Sequence, residues 1–283
     1  MRAAPIFSSP STGEAQGTAT SSWSPPKRGS PFPPHPQPEC EEETEVTTAP
    51  AVCKMLSTFQ ICACTNELCL LADAEPRPHT ALALTYGFTV LHGLTLAGST
   101  CNPCGTLQHI WGDGMSAQAG GLKIGAQFVA AVLARGFMHF VWSLGVAEPH
   151  AGALAQGCSN PLQTTETQAF FIELLFSAVF QLAILQLDAV HPNFRVHFIA
   201  LLITMLVYSG GNLTGAIFNP ALAFSLHPYC FYEKFLSYSL VYWIAPSLGN
   251  QFLSFFATLY KNTGMINPFF LFFIFSYYDK CLK

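Results

Sequence analysis

The chain has 283 residues, of which 51% are hydrophobic and only 10% are charged, and its formal net charge is −4. A soluble domain usually carries about 25% charged residues, and the small number of Lys and Arg residues argues against a nucleic-acid partner. Long apolar runs fill residues 52–278, whereas residues 1–50 are rich in Pro, Ser, Thr and Glu. The composition therefore predicts an all-α membrane protein with a disordered N-terminal tail.

Six segments are long and apolar enough to form helices that cross the lipid bilayer, which requires about 20 residues each. In chain order, the predicted spans are residues 52–72, 80–98, 121–146, 167–187, 195–213 and 235–260. The first is the weakest, because it contains Thr65, Asn66 and Glu67. The distribution of Lys and Arg favours an even number of spans with both chain ends in the cytosol.

Two apolar stretches between the spans are too short to cross a bilayer, and both begin with Asn-Pro. They are NPCGTLQHIWG (102–112) and NPALAFSLH (219–227). Gly98 and Gly215 each lie four residues before the Asn, so both pairs repeat at an offset of 117. Two similar three-span halves, each with a re-entrant piece, predict an inverted-repeat transporter or channel.

The Asn-Pro pairs have a physical role in such a plan. Asn is a strong N-cap and Pro is favoured at the first helical position, so Asn102-Pro103 and Asn219-Pro220 are each expected to start a half-helix. An inverted repeat brings the two helix starts together near the bilayer midplane, where their positive dipole ends face each other. The two amides could then donate hydrogen bonds to a small neutral molecule, while the field repels cations.

Cys101 and Cys104 form a C-x-x-C pair that has three interpretations: a redox dithiol, half of a zinc site, or part of the first Asn-Pro box. No second Cys or His pair at ligand spacing accompanies it, so no metal is predicted. The repeat favours the box. Most of the other cysteines lie in apolar runs and are expected to pack as small apolar side chains, without a disulfide framework.

Around these residues the sequence resembles the aquaporins, and within them the unorthodox superaquaporins of the aquaporin-eleven type. The resemblance covers about residues 52–261 and includes YSGGNLTGAIFNPALAFSLH (208–227), VYWIAPSLG (241–249) and Cys230. The two boxes are Asn102-Pro103-Cys104, in place of the usual Asn-Pro-Ala, and Asn219-Pro220-Ala221. The resemblance implies a six-span bundle with two re-entrant half-helices and a homotetramer in the lipid bilayer, with no cofactor and no catalytic residue. The regions before residue 52 and after residue 261 form a tail and a divergent apolar end.

The resemblance also implies a function: passive transport of water, glycerol and hydrogen peroxide. Counting back from each Asn without gaps, the four selectivity-filter positions fall at Leu82, Val207, Ala216 and Leu222. All four are apolar, and Leu222 stands where an arginine is usual, so the filter is expected to bind water weakly. The alternative is that these four side chains only pack against neighbouring helices. The family's habit suggests the endoplasmic reticulum membrane first and the plasma membrane second.

Glu173 is, by resemblance, the buried carboxylate that braces the second half-helix loop, with Gly98 and Gly215 as structural support. Its counterpart in the first half is Lys54, and an ammonium group cannot accept the backbone N–H bonds that a carboxylate accepts. The first brace is therefore expected to be lost or replaced. This leaves a rival interpretation: a non-conducting relative, retained in the endoplasmic reticulum, that acts through partners. Arg135, inside a predicted span, needs a partner such as Glu173.

Overall fold

The computed structural model describes residues 48–74, 78–96, 99–112, 114–154, 158, 161–187 and 190–263. Most of the predicted tail over residues 1–51, and the predicted apolar end beyond residue 263, lie outside these ranges. The first helix begins at Thr48, so the last residues assigned to the disordered tail are helical. Within the described residues the regular structure is entirely helical.

The helices follow one another in the order that the predicted spans and re-entrant pieces require. They are α1 (Thr48–Ala74), α2 (Pro78–Thr95), α3 (Pro103–Trp111), α4 (Ala117–Ser143), α5 (His150–Ala153), α6 (Glu166–Leu185), α7 (Pro192–Thr214), α8 (Pro220–Leu226), α9 (Pro228–Glu233), α10 (Phe235–Ser239), a π-helical turn (Leu240–Ile244) and α11 (Ala245–Thr263).

Four of these helices are long and apolar enough to cross a membrane: Val52–Ala74, Ala117–Ser143, Glu166–Leu185 and Pro192–Thr214. Helix α2, with 18 residues, and the continuous helical run from α10 to α11 occupy the second and sixth predicted positions. The six-span plan is therefore confirmed, with helix ends that differ from the predicted ones by a few residues.

Two of the polar residues that weakened the first predicted span, Asn66 and Glu67, form hydrogen bonds with other helices. Asn66 donates through its amide to the Ser225 hydroxyl (3.0 Å) and to the Cys62 carbonyl (2.8 Å). The Glu67 carboxylate accepts a hydrogen bond from the Trp142 indole N–H at 2.8 Å. Because polar groups in a bilayer must find their partners inside the protein, these contacts explain why α1 continues through them.

The last span contains a π-helical turn that ends two residues before Pro246. Proline has no backbone N–H and its ring clashes with the preceding turn, so a local change of helix type accommodates it. The Pro246 carbonyl accepts a hydrogen bond from Ser177 of α6 at 2.7 Å. At Gly249 the backbone of α6 near Leu174 lies so close that a Cβ atom would clash with it. The VYWIAPSLG segment therefore fits α11 tightly against α6.

Each re-entrant helix packs against spans of the opposite half of the chain. Helix α8, from the second half, contacts α1 and α4, whereas α3, from the first half, contacts α11 as well as α4. Spans also pair as α1 with α4, α2 with α7 and α6 with α11. The predicted inverted repeat is thus confirmed, and its geometry brings the two Asn-Pro pairs together.

Candidate functional site: the two Asn-Pro boxes

Each box asparagine caps its own half-helix. The Asn102 side-chain oxygen accepts a hydrogen bond from the backbone N–H of Cys104 at 3.0 Å. The Asn219 oxygen accepts from Ala221 (3.1 Å) and Leu222 (3.3 Å). Both half-helices have proline at their first position, where the missing N–H costs no hydrogen bond. The sequence therefore places both half-helix starts by the same local mechanism.

The amide nitrogens of the two asparagines cross over to the opposite loop. Asn102 donates to the Phe218 carbonyl at 3.0 Å, and Asn219 donates to the Cys101 carbonyl at 3.3 Å. Each acceptor is the residue immediately before the other asparagine, so the two bonds are related by the inverted repeat. An amide group has two N–H hydrogens, and one from each asparagine remains for a third partner. The first residues of the two half-helices therefore lie next to each other. Two amide donors and the positive ends of two helix dipoles are brought together there.

The loop before the second box has an unusual backbone conformation. Gly215 has a φ of 85°, and the non-glycine residues Ala216 and Phe218 have φ values of 49° and 34°. A non-glycine residue in this left-handed region costs roughly 1–2 kcal/mol. A loop with two such residues requires strong support from the surrounding structure.

Glu173 supplies this support from α6. Its carboxylate is fully buried and accepts three hydrogen bonds from the loop: from the Thr214 hydroxyl (2.7 Å), the Ile217 N–H (3.1 Å) and the Phe218 N–H (2.6 Å). Each of these hydrogen bonds satisfies a donor that would otherwise be buried without a partner, which costs roughly 1–3 kcal/mol. The brace therefore holds Phe218, the residue whose carbonyl accepts from Asn102.

The first box is braced differently. Lys54 is buried at the position that corresponds to Glu173, and the side chain that reaches the first loop comes from α4 instead. The fully buried Gln127 donates to the Thr100 carbonyl at 2.9 Å and exchanges hydrogen bonds with the Thr106 hydroxyl. Gln127 thus holds the first loop by donating to a carbonyl, whereas Glu173 holds the second loop by accepting from N–H groups. Gly98, which was assigned a supporting role, lies outside the described residues.

Cys101 and Cys104 are both free thiols, and Cys104 is completely buried. The Cys104 sulfur lies 3.6 Å from the Ser247 hydroxyl of α11. Cys101 takes part in the site through its backbone carbonyl, which accepts a hydrogen bond from the Asn219 amide. These contacts fit the interpretation of the pair as part of the box.

The four filter positions fall into different surroundings. Val207 and Ala216 belong to one apolar cluster together with Phe176, Leu206 and Phe218. Leu222 packs against the clusters around Cys62 of α1 and Tyr238 of α10. Leu82 lies on α2 and is half-buried. Two of the four predicted positions therefore share one cluster, and their common role as a filter stays a prediction.

Two features of this region differ from the sequence-based expectations. Cys158 and Cys230 form a disulfide that links the segment after α5 to α9, with Cα atoms 4.8 Å apart. Cysteine spacing alone gave no signal for this pairing across 72 residues. Glu173 was also named as a possible partner of Arg135, which is wrong: the Arg135 guanidinium donates to Asn66 at 2.7 Å, while Glu173 holds its loop.

Comparisons with known proteins agree with this fold. The major intrinsic protein family matches residues 46–256. Aquaporin-11 of Equus caballus is 44% identical over 221 residues, which cover 76% of this chain and 81% of that protein. Aquaporin-12 of Mus musculus is 32% identical, and the alignment covers 67% of this chain and 68% of that protein. The X-ray structure of the aquaglyceroporin from Plasmodium falciparum superposes with a TM-score of 0.59 at 17% identity, covering 76% of this chain and 96% of that one, and so supports the fold. The chain therefore belongs to the aquaporin (major intrinsic protein) family, whose members are membrane channels and not enzymes.

Replacing Glu173 with Gln should destabilise the protein, because an amide nitrogen would face the backbone donors that the carboxylate now satisfies. We expect a loss of roughly 1–3 kcal/mol, the cost of an unsatisfied buried donor, seen as a lower midpoint of thermal unfolding in detergent. Glu166→Gln is the matched control, since Glu166 is exposed in the first turn of the same helix. Equal midpoints for the two variants would contradict the role assigned to Glu173.

Proposed function

We propose that the protein is a passive channel for water and small neutral solutes, and that these pass between the two Asn-Pro boxes. The observation that carries the proposal is the pair of crossed hydrogen bonds from Asn102 and Asn219. These two bonds keep the second N–H hydrogen of each asparagine and the N-terminal ends of both half-helices close together. A neutral molecule with a lone pair can accept those hydrogens, whereas a cation meets two positive dipole ends.

The proposed solutes are water, glycerol and hydrogen peroxide. The filter positions Leu82, Val207, Ala216 and Leu222 carry no charged or aromatic side chain. An apolar constriction offers a water molecule no hydrogen bond to replace the ones that it loses on entry. It therefore selects water over larger neutral solutes less strongly than a filter with an arginine does. This supports slow and poorly selective transport.

The proposed location is the endoplasmic reticulum membrane, with the chain ends in the cytosol. Disulfides persist in oxidising compartments such as the lumen of this organelle, so the Cys158–Cys230 bridge supports a lumenal position for the α5–α9 end of the bundle. A homotetramer is proposed as well. Large apolar side chains exposed on α4 and α7, such as Phe140, Leu201 and Met205, offer surfaces for lipid and neighbouring subunits.

Water transport can be measured as stopped-flow osmotic shrinkage of proteoliposomes. The native protein should shrink them faster than empty liposomes shrink, and Asn219→Asp should abolish most of that increase. Aspartate can still cap α8, but it has no N–H to donate to Cys101 or to water, and it adds a negative charge between the helix starts. Asn212→Asp is the matched control, because Asn212 is exposed, precedes Asn219 in the same segment and takes no part in the crossed hydrogen bonds.

Two results would contradict the proposal. Equal loss of water flux in Asn219→Asp and Asn212→Asp would show that charge alone, and not the box, causes the effect. Shrinkage by the folded native protein no faster than that of empty liposomes would favour the rival function, a non-conducting relative that acts through partners. The buried Lys54, where the second half has Glu173, is the feature that favours this rival.

The filter assignment makes a separate prediction. Leu222→Arg should raise the ratio of water to glycerol permeability severalfold, because a guanidinium group narrows the constriction and offers water strong hydrogen bonds. The same substitution at Leu154, which is 43% exposed beyond α5, serves as the control. An unchanged ratio in Leu222→Arg would show that Leu222 only packs against its neighbours.

A further inference from the structure

A cavity of about 60 Å³ lies at the C-terminal end of α8, whereas Asn219 caps the N-terminal end of the same half-helix. Its walls come from the ends of α1 and α4, from α5 and from the link between α8 and α9. Its polar lining residues include Asn66, Asp73, Arg135, His227 and Tyr229. A water molecule needs roughly 10–15 Å³ on this scale, so the cavity has room for a small ion together with water.

Among the described residues that line this cavity, Arg135 is the only cationic one. It belongs to α4, where a charge at membrane depth costs free energy unless it is paired. Its guanidinium donates to the neutral amide oxygen of Asn66 at 2.7 Å and lies 5.1 Å from the centre of the Trp142 ring. Neither partner carries a negative charge. Among the described residues, no carboxylate is within ion-pair distance of Arg135, and its buried Nε has no hydrogen-bond acceptor.

The acidic groups near Arg135 are accounted for in other ways. Glu67 accepts from Trp142 and lies 3.1 Å from the His150 ring nitrogen, so it belongs to a separate network. Asp73 also lines the cavity, but it is exposed near the end of α1. A negatively charged ligand would therefore be attracted by Arg135 and opposed by Asp73.

The remaining polar groups of the cavity can donate hydrogen bonds to an anion. Burial, with a smaller contribution from the charge of Arg135, lowers the pKa of His227 to about 4, so this side chain is neutral at pH 7 and offers one N–H. The Tyr229 hydroxyl is a further donor. One guanidinium without a negatively charged partner and two neutral donors around a small space suit a monovalent anion.

We propose that this cavity binds a small inorganic anion of halide size, held by Arg135 with Asn66 as the residue that positions the guanidinium. The bound anion neutralises the charge in α4 and joins α1, α4 and the α8–α9 link at the end of the bundle that carries the Cys158–Cys230 disulfide. The proposed anion site lies outside the path between the two boxes. The bound anion therefore stabilises the channel protein and is not itself transported.

Bromide is the probe that tests this site in the full-length purified protein. The midpoint of thermal unfolding is measured while sodium bromide replaces sodium gluconate at constant ionic strength, because gluconate is too large for the cavity. The native midpoint should rise with bromide and reach saturation. In Arg135→Gln the bromide dependence should be lost, whereas Arg195→Gln, which removes the same charge from α7, should keep it. No dependence in the native protein, or equal dependence in Arg135→Gln, would overturn the proposal.

Asp73→Asn provides an independent test that does not require the Arg135 variant to fold. If an anion occupies the cavity, removing the opposing carboxylate should lower the half-saturating bromide concentration severalfold. If Asp73 instead balances Arg135 through water, the same substitution should lower the midpoint and leave the bromide response unchanged. That second outcome would refute the anion site.

Discussion

Two crossed hydrogen bonds at the centre of the bundle are the contacts on which the rest of the structure depends. Asn102 and Asn219 each cap one half-helix and donate to the loop that precedes the other. Non-helical backbone at membrane depth must satisfy its polar groups inside the protein, and here each loop satisfies a carbonyl of its counterpart. The two halves of the chain are therefore held together at the two boxes, where the proposed path for solutes passes.

The two halves reach this common geometry with different supports. In the second half the Glu173 carboxylate accepts from the strained loop, whereas in the first half Gln127 donates to the Thr100 carbonyl. A carboxylate can hold two backbone N–H groups at once, while one amide donor satisfies one carbonyl. The second loop, with two non-glycine residues at positive φ, has the stronger support and the greater need for it.

The sequence predicted the membrane class, the span order and the repeat, because apolar length and capping residues act locally along the chain. It also predicted that the brace opposite Lys54 would be lost or replaced. It did not predict Gln127, which reaches the first loop from another helix, nor the disulfide between Cys158 and Cys230. The Arg135–Asn66 bond was missed for the same reason. These contacts join residues that are far apart in the sequence and depend on how the helices pack. A local sequence pattern therefore cannot predict them.

Coupling between Asn102 and Asn219 is the measurement that tests the central contact most directly. The midpoint of thermal unfolding is determined for Asn102→Ala, Asn219→Ala and the double variant. If the two loops form one unit, the effects of the single changes should not add, with a coupling of roughly 0.5–3 kcal/mol as found for residues in one network. Additive effects would show that each asparagine only caps its own half-helix, and that the crossed bonds do not hold the halves together.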